Sequence, residues 1–214
     1  MPESNDAAIT LYFAPRTRAI TALWLLEEMN VAYRLESFDL HSGRHKHADY
    51  LALNPMGKVP LIVDDGTAVA EIGAITLWLG ERHPRSGLAP GVGEPGRADY
   101  LRWIFFASGV MEPAYAERFL KIEPRPSNYA WGSFDQMLAV VTAGVEKRPF
   151  LLGERFSAAD VLIASALRFG MMFGILAKEG PLAEYVGRVT SRDGYKRADA
   201  IAQREGERFP PKKS

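Results

Sequence analysis

Residues 59–73 read VPLIVDDGTAVAEIG, and no other stretch restricts the fold as tightly. An apolar run is followed by Asp64-Asp65-Gly66 and a second, shorter apolar run. An Asp-Gly pair tolerates the positive backbone angles of a tight hairpin, so strands are predicted over 59–64 and 68–71 with the turn at 64–66. Pro60 lies at the start of the first run. Without an N–H it cannot join the middle of a ladder, so the chain must enter this strand at an edge or through a special turn.

Upstream, 8–13 (AITLYF) is short, β-branched and aromatic, the pattern of a buried strand. In 22–30, Leu23, Leu26 and Met29 recur at helical spacing with acids between them. Residues 32–39 alternate like a strand, 41–49 (HSGRHKHAD) form a polar loop leading into a short helix, and 72–82 read as a helix. The early strand-helix-strand unit requires a parallel pair with a crossover, whereas the hairpin adds antiparallel strands. The order β-α-β-α-β-β-α makes an α/β, thioredoxin-like domain.

Pro and Gly crowd 84–96, after which the strand signal disappears. Helices are predicted over 98–119, 131–147, 158–177 and 182–190. The expected division is a thioredoxin-like domain at 1–84, a linker at 85–97 and an all-helical domain at 98–214. A length of 214 residues suits two small domains, and 47% hydrophobic with 24% charged residues is an ordinary globular balance. Within the last domain, Ser157 and Asp160 have the spacing of a helix capping box, a stabilising motif without chemistry.

Lys plus Arg and Asp plus Glu number 26 each, so net charge gives no general attraction to nucleic acid or anionic lipid. The chain has no cysteine. Disulfides, Cys-based zinc sites and a protein thiol nucleophile are excluded, and any sulfur chemistry must use a sulfur brought by a ligand. His41, His45 and His47 have no acidic or Cys partner at diagnostic spacing, so no metal site is expected. The first residues lack the basic and apolar regions of a signal peptide, and apolar stretches such as 163–167 are too short to span a bilayer. A cytoplasmic location is expected.

Three stretches, LYFAPRTRAITALWLLEE at 11–28, LNPMGKVPLIVDDGTAVAEIGAITLWLGERHP at 53–84 and FLLGERFSAADVLIASAL at 150–167, together resemble the glutathione transferase family. That resemblance implies glutathione as co-substrate, a small hydrophobic electrophile as its partner, and a homodimer. It implies a cis bond between Val59 and Pro60, with the Val59 backbone pairing with the cysteinyl part of glutathione. Glu71 opens the family's Glu-Ser-x-Ala-Ile pattern and would meet the ligand's ammonium group, although Ile72 stands where the serine is usual. Lys58 and the loop residues Arg44, His45 and Lys46 would lie toward the glycyl carboxylate.

Thiol activation falls to the turn APRTRA. Thr17 aligns with a serine hydroxyl donor and Arg18 would give electrostatic support. Tyr12 stands as the other candidate donor, because Tyr12, Arg16 and Arg18 resemble the tyrosine-type pattern. The LYFAP run resembles the nu-class members, which reduce disulfides. In the family the electrophile pocket is lined by the first long helix of the helical domain, where Met111 and Tyr115 are the candidates. Two further readings stay open: a glutathione-dependent disulfide reductase without protein cysteine, and a non-catalytic binding or scaffold member, favoured by Ile72.

Overall fold

The computed structural model describes residues 8–123, 125 and 127–210. Its first half contains β1 (Ile9–Phe13), α1 (Ala19–Met29), β2 (Tyr33–Ser37), 3-10 turns at Leu40–Ser42 and Arg44–Lys46, α2 (Ala48–Leu53), β3 (Leu61–Asp64), β4 (Thr67–Ala70) and α3 (Ile72–Arg82). The sheet order is β2-β1-β3-β4, with β1 parallel to β2 and the other pairs antiparallel. This is the predicted α/β order. β3 begins two residues later than expected because the Val59–Pro60 bond is cis and stays outside the ladder.

Alternation gives the sheet two different faces. On one, Tyr12, Leu61 and Ala70 pack with Phe38, Tyr50 and Leu53, which come from the segment between β2 and β3. On the other, Asp64 is buried and accepts from Trp78 Nε1 at 2.7 Å and Arg82 Nε at 2.8 Å, both from α3. Removing both donors would strand a buried carboxylate.

The later chain forms α4 (Arg97–Phe106), a π turn (Ala107–Met111), α5 (Glu112–Leu120), α6 (Phe134–Val145), α7 (Ala158–Met172), α8 (Pro181–Thr190) and α9 (Asp193–Arg208). The predicted single helix over 98–119 is therefore three pieces. Pro113 cannot supply an amide inside a helix, and it lies in the first turn of α5, directly after the π turn.

Two compact units result: Met1–Ser86 with Asp193–Ser214, and Gly87–Arg192. The expected first domain ends at residue 84, and the first boundary between the units falls after Ser86. The assignment of 98–214 to one helical domain is corrected at its far end, because α9 packs on α1. Arg197 Nε bonds Glu27 Oε2 at 2.7 Å and its Nη2 bonds the Glu27 carbonyl at 2.6 Å. The rings of Trp24 and Tyr195 meet edge-on at 4.8 Å.

In the second unit Asp160 is fully buried and accepts from Ser157 N, Ser157 Oγ, Leu151 N and Tyr185 Oη. Burial pushes its carboxyl up, against the downward pull of those four bonds. Among the described residues no helix is long and apolar enough to cross a membrane.

Candidate functional site

The sheet register brings the sequence candidates to one end of the first unit. Tyr12 in β1 is opposite Leu61 in β3, which is opposite Ala70 in β4. The chain leaves β1 into the turn of Thr17 and Arg18, enters β3 from Val59 and Pro60, and leaves β4 into Glu71 and Ile72. β2 ends beside β1, with Phe38 N bonded to the Phe13 carbonyl at 3.0 Å, and leads on to His45. Four connections far apart in sequence thus open at the same sheet end.

The approach to Pro60 is fixed by a local network. Tyr50 Oη and Asn54 Nδ2 both donate to the Lys58 carbonyl, at 2.6 and 2.9 Å. Asn54 Oδ1 accepts from Met56 N at 3.1 Å, and Lys46 Nζ donates to the Met56 and Gly57 carbonyls at 3.3 and 3.0 Å. Gly57 has φ +57, and a Cβ there would lie 2.7 Å from the His45 carbonyl oxygen. Only glycine fits that approach. Lys58 itself is exposed, and Val59 is half-buried against the Tyr12–Tyr50 cluster. Burial pushes the Tyr50 phenol up, and nearby Tyr12 adds to this.

The His45 ring stacks parallel to Phe38 with centroids 6.4 Å apart, and its Nδ1 is buried with no hydrogen-bond partner. That burial, with Lys46 and Lys58 nearby, lowers its pKa. Arg44 is engaged in a bidentate pair with Asp49, at 2.9 and 2.8 Å. Among the described residues no group of three or more His, Cys, Asp or Glu side chains is placed to hold a metal.

In the turn after β1, Thr17 Oγ1 donates to the Ala14 carbonyl at 2.7 Å and accepts from Ala19 N at 3.2 Å. The hydroxyl thus closes the turn and caps the start of α1, where Arg18 is the N-cap residue. The side chain of Tyr12 lies on the α2 face, its ring edge-on to Tyr50 at 5.4 Å. Glu71 is exposed and has φ 68, ψ 122, an unusual backbone for a side-chain-bearing residue. It turns the chain directly into α3, whose first amides belong to Ile72 and Gly73 and whose positive dipole end starts at the same sheet end.

Met111 and Tyr115 belong to the second unit, and both are core side chains. Met111 is fully buried in the π turn, and the Tyr115 ring lies 6.3 Å from Phe134. The expectation that they face an open pocket is corrected: at these positions the aromatic-rich helix packs inward. The large apolar side chains that α4 and α5 expose are Phe105, Phe119 and Leu120.

Sequence reasoning missed Tyr50 and Asn54, which hold the Lys58 carbonyl. The Asn54-Pro55 pair and nearby Gly57 were the available signal, since such residues mark a defined turn.

A mixed sheet entered through a cis proline, with two helix starts opening beside that entry, defines a thioredoxin-like first unit. Residues 7–81 match the family model for the glutathione S-transferase N-terminal domain. The chain is 31% identical over 166 residues to the disulfide-bond oxidoreductase YfcG of Escherichia coli K12, spanning 72% of this chain and 76% of that one. It is 27% identical to glutathione S-transferase GstA of Escherichia coli O157:H7, over 74% of this chain and 81% of the other. A glutathione transferase structure from Methylococcus capsulatus superposes with a TM-score of 0.76 at 28% identity, covering 93% of this chain and 99% of that one. The chain belongs to the glutathione S-transferase superfamily.

Proposed function

We propose that this protein is a glutathione transferase that ionises bound glutathione for attack on a small hydrophobic electrophile. The observation that carries the reading is the convergence, at one sheet end, of Val59 before a cis proline, Glu71 at the start of α3, and Thr17 with Arg18 at the start of α1. The Val59 backbone would take the cysteinyl peptide group as a one-residue strand addition. Glu71 would pair with the γ-glutamyl ammonium, and the amides of Ile72 and Gly73 with its carboxylate. Lys58, with His45, would meet the glycyl carboxylate. With the thiol held near α1, Thr17 Oγ1 rotates its proton from the Ala14 carbonyl toward the sulfur, and Arg18 adds positive potential. Tyr12 is the alternative donor. The thiolate then forms a carbon–sulfur bond as the electrophile's leaving group departs with its electron pair.

The similarity to a disulfide-bond oxidoreductase favours a second reading. There the same thiolate attacks a disulfide sulfur, the other sulfur leaves as thiolate, and a second glutathione resolves the mixed disulfide. No protein cysteine is required. The proposed subgroup is bacterial and near the nu-class and fungal-type members, acting as a cytoplasmic homodimer with neither nucleic acid nor membrane as partner.

The test is a pH titration of thiolate absorbance for bound glutathione in the wild type, Thr17→Ala and Tyr12→Phe. A bound thiol pKa below the free value, restored only in Thr17→Ala, supports the assignment. Restoration only in Tyr12→Phe moves the donor role to the tyrosine. Turnover of a chlorinated aromatic selects the transferase, and turnover of a mixed disulfide the reductase. Protein that binds no glutathione ends both readings.

A further inference from the structure

Arg16 is an unlikely residue for its backbone. Its φ is 60, a left-handed conformation in which a Cβ is disfavoured and glycine is the usual occupant. Its side chain supplies what glycine would not. Nη1 donates to the Gly206 carbonyl at 3.1 Å, and Nη2 donates to the Phe209 carbonyl. These carbonyls lie at the C-terminal end of α9, where the helix has acceptors without intrahelical partners and the negative end of its dipole. Gly206 lets the cation approach: a Cβ there would sit 3.3 Å from Arg16 Nη1.

The other attachments of α9 lie far from this one. Arg197 is bonded to Glu27, the Tyr195 ring meets Trp24 edge-on, and Gly194 lies against Glu28, all toward the C-terminal end of α1. α9 therefore runs antiparallel along α1 as a splint. Its first half is fixed to the end of α1, and its last turn to the residue that precedes Thr17. From within, the turn is closed by Thr17 itself. From outside, it is held by Arg16.

We propose that Arg16 is a positioning residue for thiol activation, the guanidinium bonded to the end of α9 fixing the turn that presents Thr17 and Arg18. This rests on the glutathione reading above.

The experiment uses full-length wild type, Arg16→Gly, a truncation ending at Glu205, the two combined, and Gly206→Ala. Arg16→Gly removes the guanidinium yet suits the left-handed backbone. The truncation removes both acceptor carbonyls. Thiolate titration of bound glutathione, kcat, KM for glutathione and thermal midpoint are read for each. Arg16→Gly and the truncation are each expected to move the bound thiol pKa toward the free value and to lower kcat about tenfold, with KM changed less than about twofold. The combined variant is expected to match either alone, because both break one link. Gly206→Ala improves helix propensity and crowds the guanidinium, so it is expected to shift the thiol titration the same way without lowering the thermal midpoint.

A lower thermal midpoint in Arg16→Gly with unchanged thiol titration and kcat overturns the proposal and leaves a helix cap. Additive effects in the combined variant also overturn it. If wild-type protein neither binds nor ionises glutathione, the functional reading fails and takes this one with it. If wild type ionises the thiol normally and Arg16→Gly does so equally, this inference fails alone.

Discussion

The approach to Pro60 and the turn after β1 both shape the candidate site, yet they are held in opposite ways. Tyr50, Asn54 and Lys46 fix the carbonyls of Met56, Gly57 and Lys58, so every partner lies within a dozen residues of chain. The turn after β1 is held from outside by Arg16, whose acceptors lie 190 and 193 residues away. A locally closed loop forms when its own segment folds. A turn held from so far along the sequence takes its final geometry only when α9 is in place.

The largest effect that would sharpen this difference is expected from Gly57→Ala. The new Cβ meets the His45 carbonyl at 2.7 Å in a left-handed backbone. Stability should fall by about 2–4 kcal/mol, with glutathione affinity falling alongside. Denaturant melts paired with glutathione titrations test this, and unchanged stability would mean the loop is not closed as described.

Asn54→Ala should cost about 2 kcal/mol, because it removes one bond to the Lys58 carbonyl and leaves Met56 N without its acceptor. Its signature should be a raised KM for glutathione with kcat nearly kept, the reverse of the pattern expected from Arg16→Gly. If both variants lower kcat alone, the two regions are not mechanically distinct.

The smallest effect is a pH dependence. Burial of its Nδ1, with Lys46 and Lys58 nearby, depresses the His45 pKa from 6.5, so the fold prefers the neutral ring. The unfolded chain therefore takes up the proton first as pH drops. The contribution of His45 is complete above its unfolded value and is lost as pH falls through the depressed folded one. Between about pH 8 and about pH 5, wild type should lose more thermal midpoint than His45→Gln. Parallel curves would show that the ring titrates alike in both states.

What the sequence made legible follows the same division. Asp65-Gly66 announced the hairpin, and Pro60 announced an irregular strand entry, because turn chemistry and a missing amide act on their immediate neighbours. The family resemblance named Val59, Glu71 and Thr17, and the strand register opens their connections at one sheet end. α9 was not legible. It buries Gly194, Ala198 and Glu205, side chains too small or too polar to mark an apolar stripe. Its function as a splint depends on Trp24, Glu27 and Arg16, which no local window contains. Met111 and Tyr115 were misread because a helical aromatic stripe has the same period whether it packs inward or lines a pocket.

That α9 follows the whole second unit in sequence has a consequence for biosynthesis. The ribosome releases residues 87–192, the whole second unit, before α9 emerges. Until then the side of α1 that carries Trp24 has no Tyr195 to cover it, and Arg16 has no helix end to cap. The unit whose sheet precedes residues 87–192 is thus completed after them. A chain cut short before α9 would carry a finished helical unit and an unfinished first unit.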